Sequence, residues 1–190
     1  MAAKKSAKSG KLETFVALLR GINVGGKNLV PMKDLCALFE GAGCADVRHY
    51  IQSGNVVYRA DAGAGDAGEK VARAIAKRFG LEVPVVVRTA AEMKEVARSN
   101  PLLAEGAPID SLHVLFLAHA PDAKQRAALD PDRSPPDRFL VAGREVFLSC
   151  PNGVGRTKLT NAYFDSKLKT VSTGRNWRTV LKLVEMSSED

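Results

Sequence analysis

The order in which extended and helical patterns follow one another constrains this chain most. A nearly continuous apolar run at Glu13–Arg20 is typical of a buried strand. Segment 31–43 has apolar residues at helical spacing, and 47–60 has the pattern of two strands joined by a tight turn. An amphipathic stretch at 66–80 and a β-branched run at Val83–Arg88 follow. The first half is therefore predicted to run strand, helix, strand, strand, helix, strand.

The second half repeats this order, although the two halves share little sequence identity. Its predicted elements are a strand at Ser111–Ala118, a short helix at 121–130, a hairpin at 137–150, a helix at 158–168 and a weak strand at 169–173. We interpret the chain as α+β, with two tandem ferredoxin-like (α/β plait) domains that have antiparallel sheets. The alternative is a single wider α+β domain with all strands in one sheet.

The expected domain boundaries follow from these elements. Residues 13–90 form the first plait, residues 91–110 a linker helix and loop, and residues 111–190 the second plait with a C-terminal helix. Thr89 and Glu92 have the spacing of a capping box on the linker helix. Residues 1–12 are expected to be a disordered basic leader.

The charge of the chain is concentrated in two places. The formal net charge is +7, and the four lysines of the leader supply +4 of it. Between Pro151 and Lys182, seven Lys and Arg residues against Asp165 alone give a segment of +6. A basic segment of this kind favours an acidic or phosphate-bearing partner.

Several classes of protein find no support in the sequence. No apolar stretch is long enough for a membrane span, so no membrane association is expected. Three cysteines without a Cys-x-x-Cys pair are typical of free thiols in the cytoplasm, where we expect the protein. His49, His113 and His119 are scattered, so we expect no metal site and no cofactor.

Four motifs carry a resemblance to a known family. They read FVALLRGINVGGKNLVPMKDL, VRHYIQSGNVVY, FLSCPNGVGRTKLTNAYF and TGRNWRTVLKL, and together they span about Thr14 to Met186. The sequence resembles the domain-of-unknown-function family 1697, which implies a two-plait α/β protein without an established activity. That family more often has threonine where this chain has Gly174.

The loop after the first strand, RGINVGGKN, is the first candidate site. Its glycines permit positive φ, and successive N–H groups in such a turn can surround an anion. Arg20 and Lys27 would supply charge, and the asparagines would supply amide donors. The alternative is a tight turn with solvated cations. The candidate anion-binding residues here are Arg20, Gly21, Asn23, Gly25, Gly26, Lys27 and Asn28.

Three further segments carry the same chemistry. The hairpin turn places Ser53 and Asn55 beside a glycine, and a second glycine-rich loop precedes a predicted helix start. We also predict that Thr173 caps the last helix and that Arg175, Asn176 and Arg178 occupy its first turn, where cations oppose the helix dipole. Trp177 is predicted to lie in the core. The candidates added by these segments are Ser53, Asn55, Gly155, Arg156, Thr157, Lys158, Arg175 and Asn176.

Three classes of function remain open at this level. The favoured class is binding of a phosphate-bearing or other anionic ligand, including a nucleotide or a nucleic acid. The second is a hydrolase or transferase acting on a small anionic substrate between the plaits, although no catalytic residues are identifiable. The third is a structural or interaction protein. Tyr50 and Tyr58 would either stack on bases or pack on the sheet.

Overall fold

A computed structural model of the chain describes residues 12–62 and 67–188. The predicted leader lies outside these residues except for Leu12, which opens the first strand. The first half contains β1 (Leu12–Leu19), α1 (Met32–Gly41), β2 (Ala45–Tyr50), β3 (Asn55–Asp61), α2 (Ala67–Phe79) and β4 (Val85–Thr89). The remainder contains α3 (Ala90–Arg98), α4 (Pro101–Ala104), a 3₁₀ turn (Ile109–Ser111), β5 (Leu112–Leu117), α5 (Ala123–Ala127), β6 (Arg138–Ala142), β7 (Glu145–Ser149), α6 (Asn161–Leu168), β8 (Ser172–Asn176) and α7 (Trp177–Met186).

The strands form two four-stranded antiparallel sheets, so the single-sheet alternative is wrong. The first sheet has the order β2-β3-β1-β4 and the second has the order β6-β7-β5-β8. The first and last strands of each half pair in the same register. Phe15 of β1 lies opposite Thr89 at the end of β4, and His113 of β5 lies opposite Asn176 at the end of β8. The two halves therefore share one pairing scheme despite their different sequences.

Apolar side chains form three layers around the sheets. The outer face of the first sheet packs on α1 and α2, and the outer face of the second packs on α6. Between the sheets, the inner-face residues Val16 and Phe116 share one cluster with Met93 of α3 and Trp177 of α7. Trp177 is 1% exposed, which confirms its predicted place in the core. The linker helix α3 is thus part of the core that joins the halves.

The two caps before α3 and α7 occupy matching positions. Thr89 and Glu92 form the predicted capping box at α3. Asn176 caps α7, and its side chain accepts from the Thr179 backbone N–H at 2.8 Å. The prediction that Thr173 caps this helix is therefore wrong.

The placement of Arg175 and Asn176 in the first helical turn is also wrong, because both belong to β8. The segment pairs antiparallel with β5, and this tertiary pairing outweighs the low strand propensity of its glycine and asparagine. Arg178 does lie in the first turn of α7, where it is exposed and pairs with Asp110. Across the described ranges 12–62 and 67–188, every helix is too short or too polar to cross a membrane.

Candidate functional site

Residues 23–28, here called the glycine finger, form a miniature hairpin after β1. The Asn23 N–H donates to the Asn28 carbonyl at 3.2 Å, and the Lys27 N–H donates to the Val24 carbonyl at 3.1 Å. Gly25 and Gly26 have φ of +58° and +73° at the tip, as the central residues of a type I′ turn do. These glycines therefore supply the positive φ angles that the turn requires.

The asparagine amides of the finger are used within the structure. Asn23 Nδ2 donates to the Val30 and Gln52 carbonyls at 2.8 and 2.9 Å, and Asn23 Oδ1 accepts from the Val30 N–H. Asn28 Nδ2 donates to the Gly21 carbonyl at 3.0 Å. The Asn23 amide thus anchors the finger to the β2–β3 hairpin, and the Asn28 amide bonds to the backbone just before the finger, so both are used within the protein.

Arg20 joins the two halves through an ion pair. Its Nη1 donates to Asp165 on α6, and the same carboxylate accepts from Ser172 Oγ at 2.6 Å. Both partners are partly exposed, at 30% and 21% of the side-chain surface. Arg20 was predicted to offer its charge to a ligand, and the structure shows that charge already balanced by Asp165.

Arg175 is buried, 9% exposed, and crosses from β8 to the first half. Its guanidinium donates to Asn55 Oδ1, to Thr173 Oγ1 and to the backbone carbonyls of Leu19, Ser53, Gly54 and Gly174. Within the part of the chain that the structure describes, it has no carboxylate partner. Burial lowers the pKa of Arg175 to about 10, so the group stays protonated at neutral pH.

Residues 151–160, here called the basic loop, connect β7 to α6. Thr160 caps α6 by accepting from the Tyr163 N–H, and Thr157 Oγ1 accepts from the Leu159 N–H. Arg156 and Lys158 are exposed, as is Gly155. Beneath the loop lies Cys150, and burial raises the pKa of its thiol to about 11, so it is an unreactive thiol at neutral pH.

The glycine finger and the basic loop face one cleft, which has two connected lobes. The larger lobe holds about 580 Å³ and is lined by Val24 from the finger and by Val154, Thr157 and Leu159 from the basic loop. The smaller lobe holds about 360 Å³ and includes Arg20, Gly21 and Ser53. Both lobes share Val24, Asn161, Gly174, Arg175 and Asn176. All four quoted motifs therefore meet at one place, and no Asp or Glu of the described residues lines either lobe.

The predicted site residues divide into two groups at this cleft. Six line it: Arg20, Gly21, Ser53, Thr157, Arg175 and Asn176. The others flank or support it without lining it: Asn23, Gly25, Gly26, Lys27, Asn28, Asn55, Gly155, Arg156 and Lys158. Lys27 is exposed, and Asn55 is fully buried beneath Arg175.

Sequence reasoning missed His113 and Asn161, which also line the larger lobe. His113 Nδ1 lies 3.2 Å from the Ser111 carbonyl oxygen, and burial lowers the pKa of His113, so its ring is neutral at pH 7. Its place at the start of an apolar strand was the one available signal. In the ranges 12–62 and 67–188, no cluster of His, Cys, Asp and Glu could hold a metal ion.

Two antiparallel sheets with helices between and outside them define an α+β protein, and its candidate ligand site is the cleft where the halves meet, whose described lining contains no carboxylate. The chain belongs to the family described as "Protein of unknown function (DUF1697)", whose model matches residues 12–147. This finding confirms the resemblance to that family, and the matched residues contain the first two of the four motifs.

A solved structure shows the same fold. The conserved bacterial protein SP0830 from Streptococcus pneumoniae is 22% identical, and the match covers 94% of this chain and all of that one, with a TM-score of 0.71. At this identity the likeness concerns the fold alone. No curated protein matches the sequence significantly.

Proposed function

We propose that the cleft binds a small anionic ligand, with a phosphate-bearing compound as the favoured class. The observation that supports this most is the buried charge of Arg175 beside a cleft whose described lining contains no carboxylate. A buried charge without a counter-charge is unfavourable, and an anion in the cleft would offset that cost. Because its N–H groups already donate to neutral acceptors, Arg175 acts here through its charge.

Other groups around the cleft add positive potential. Lys27 pairs with Val24 at the base of the finger tip, and Arg156 and Lys158 flank the lining residue Thr157. The N-termini of α6 and α7 also open at the cleft, where Thr160 and Asn176 cap them. Each helix end contributes only about 0.3–1 kcal/mol, so the side-chain cations supply most of the attraction.

The test is ligand-dependent thermal stabilisation of a form that lacks residues 1–11, so that the leader lysines cannot bind anions. Phosphate, sulfate and nucleotides should raise the Tm of this protein. The triple variant Lys27→Ala/Arg156→Ala/Lys158→Ala should bind about tenfold more weakly, because it loses rim charge and keeps the fold.

The matched control removes the same charge elsewhere. Lys77→Ala/Lys124→Ala/Arg126→Ala changes three exposed cations on α2 and α5 and should leave ligand affinity unchanged. If both triple variants bound the ligand equally weakly, the loss of affinity would be due to the lower net charge of the protein and not to the position of the three cations. The proposed function would be overturned if none of these anions shifted the Tm of the wild-type sequence.

The alternative to a small phosphate-bearing compound is a nucleic acid. Tyr58, one of the two tyrosines considered for stacking on bases, cannot reach a base, because it is 2% exposed and packs against Phe15 and Phe39. If RNA or DNA bound through several phosphates, the logarithm of the binding constant would fall linearly with the logarithm of the salt concentration. The slope would be about −0.7 for each phosphate contact to a single strand. A flat salt response would favour the small ligand. The hydrolase, transferase and structural alternatives stay predictions.

We also infer that each half is a ferredoxin-like plait, so that the chain is a tandem of two. The support is the strand order, in which the first strand of each half lies between the third and the fourth. The helix between the third and fourth strands, α2 or α6, packs on the outer face of its sheet. The predicted cytoplasmic location remains a prediction.

A further inference from the structure

We propose that the anion bound in the cleft is a nucleoside monophosphate, with its base in the larger lobe and its phosphate in the smaller one. This inference rests on the proposed function and assigns the ligand class. It follows from the different chemistry of the two lobes.

The larger lobe is mainly apolar. Leu115 and Leu148 of the second sheet and Leu159 of the basic loop line it. Val24 of the finger and Val154 of the basic loop complete it, and they remain 59% and 49% exposed. A flat ring between these two valines would bury apolar surface that now faces solvent. The volume of about 580 Å³ lies within the range of small-molecule sites.

The polar groups of this lobe favour a heteroaromatic ring over an alkyl chain. The Ser111 carbonyl can only accept, so His113 Nδ1 carries the proton and Nε2 is an acceptor. Ser172 Oγ donates to Asp165 and accepts from Asn161 Nδ2 at 2.9 Å, which leaves Asn161 Oδ1 as a second acceptor.

A donor lies at the junction of the lobes. Asn176 Oδ1 accepts from the Thr179 N–H, so Asn176 Nδ2 is free to donate. Asn161 Oδ1 lies 3.9 Å from the point where a Cβ on Gly174 would stand, and both residues belong to the shared part of the cleft. Two acceptors and one donor match a base that carries an exocyclic amine and a ring acceptor.

The smaller lobe suits the phosphate. It is lined by Arg20, Ser53, Thr173 and Thr179, together with the shared Arg175 and Asn176. Ser53, Thr173 and Thr179 supply hydroxyl groups and Arg175 supplies positive charge, whereas the charge of Arg20 is balanced by Asp165. The described lining contains no carboxylate. Because both lobes share one floor at Gly174, a ligand that joins a ring to a phosphate through a sugar can occupy them together.

The experiment measures affinities of the protein without residues 1–11 for AMP, GMP, CMP and UMP, for the nucleoside of the tightest one, and for ribose 5-phosphate. We expect the best monophosphate to bind at least about tenfold more tightly than its nucleoside and than ribose 5-phosphate. Val24→Ser/Val154→Ser should reduce its affinity to that of ribose 5-phosphate. Leu140→Ser/Val171→Ser, which changes two exposed apolar residues outside the cleft, should leave it unchanged.

Each other outcome overturns a defined part of the proposal. Equal affinity for the monophosphates and ribose 5-phosphate overturns the ring-binding lobe and leaves the anion site standing. Equal affinity for nucleoside and monophosphate overturns the anion site itself. If none of these compounds binds while phosphate or sulfate still raises the Tm, only the ligand class is wrong; if those ions also fail, both proposals are.

Discussion

Two buried arginines, Arg88 and Arg175, occupy matching positions in the two halves. Each is the fourth residue of the last strand of its half, and each reaches across to the other half. Each Nη2 donates to the carbonyl that ends the first strand of the opposite half and to one at its hairpin corner, and Arg175 Nη2 also donates to the Ser53 carbonyl at 3.3 Å. The matching acceptors are Leu117 and Arg144 for Arg88, at 2.8 and 3.0 Å, and Leu19 and Gly54 for Arg175, at 2.8 and 3.0 Å.

The two corners differ in how they balance charge. Arg88 Nε donates to the Glu145 carboxylate at 2.9 Å, whereas Arg175 Nε donates to the neutral amide of Asn55. Three glutamates line the pocket beside the first corner, and no carboxylate of the described chain lines the cleft beside the second. The same backbone plan therefore gives one neutralised corner and one that keeps its positive charge at the candidate site.

The largest expected effect comes from removing the neutralised arginine. Arg88→Met leaves the Glu145 carboxylate without its partner, and this carboxylate is only 16% exposed. Breaking one side of a buried ion pair costs about 3–5 kcal/mol, measured as the free energy of unfolding in urea. Arg88→Met/Glu145→Met should recover much of that loss; a double variant as unstable as the single one would contradict this account.

The second prediction concerns the backbone at the two hairpin corners. Gly54 has φ of +77°, and a Cβ there would lie 2.8 Å from Leu19 Cβ. Gly54→Ala should therefore cost about 3 kcal/mol, since strain at positive φ adds to the steric overlap. Gly143 in the other hairpin has φ of +58°, with its nearest neighbour 3.8 Å from the same point. Gly143→Ala should cost only about 1–2 kcal/mol, and equal losses would show that the corners are not differently packed.

Arg175→Met should lower the free energy of unfolding by about 1–3 kcal/mol, which is less than the loss expected for Arg88→Met. It removes hydrogen bonds to neutral acceptors and leaves no unpaired charge behind. The same variant should lose the Tm shift caused by phosphate, because the charge beside the cleft is gone. Chemical denaturation and thermal shifts measure the two effects separately. A greater loss of stability than in Arg88→Met would contradict the comparison.

The smallest expected effect depends on pH at the neutralised corner. Burial alone would raise the pKa of Glu92, but the hydrogen bond from Thr89 and the charges of Arg144 and Arg88 outweigh it, so the pKa is lowered. Ionised Glu92 therefore contributes stability above its unfolded-state pKa, and this contribution disappears as the pH falls through its folded-state pKa.

Glu92→Gln tests that dependence, because it keeps the side-chain length and removes the charge. Since Glu92 is partly exposed, the expected loss at pH 7 is about 0.5–1 kcal/mol. The difference between the variant and the wild-type sequence should shrink towards zero below the ordinary pKa of 4.5. A difference that persisted at low pH would point to packing as its cause. Urea titrations at a series of pH values measure it.

Local patterns predicted the order of the elements well, because apolar periodicity and caps act within a few residues. The capping box at Thr89 and the buried position of Trp177 are examples. Strand β8 was harder, since Ser172–Asn176 has little strand propensity and is extended because it pairs with β5. Such pairing depends on residues far away in the sequence.

The candidate site was predictable only in part for the same reason. The sequence identified the loops, and the structure brings them to one cleft. The sequence could not show that Arg20 pairs with Asp165, which is 145 positions away, or that the Arg175 side chain is buried. Asn161 has no local signature and His113 has only its place at the start of an apolar strand, because it is the fold that brings both to the lobe that Val24 lines.

The position of α7 has a consequence for synthesis on the ribosome. Val16, Leu18 and Val86 on the inner face of the first sheet share a core with Trp177, Val180 and Leu183 of this last helix. The amino-terminal half emerges first and α3 follows it directly, but the part of the inner face that packs on α7 stays uncovered, and the carbonyls of Leu19 and Gly54 lack their arginine, until α7 has been synthesised. The nascent protein thus carries an incompletely covered apolar surface until α7 emerges, and a premature stop before Arg175 would leave that part of the surface open to aggregation.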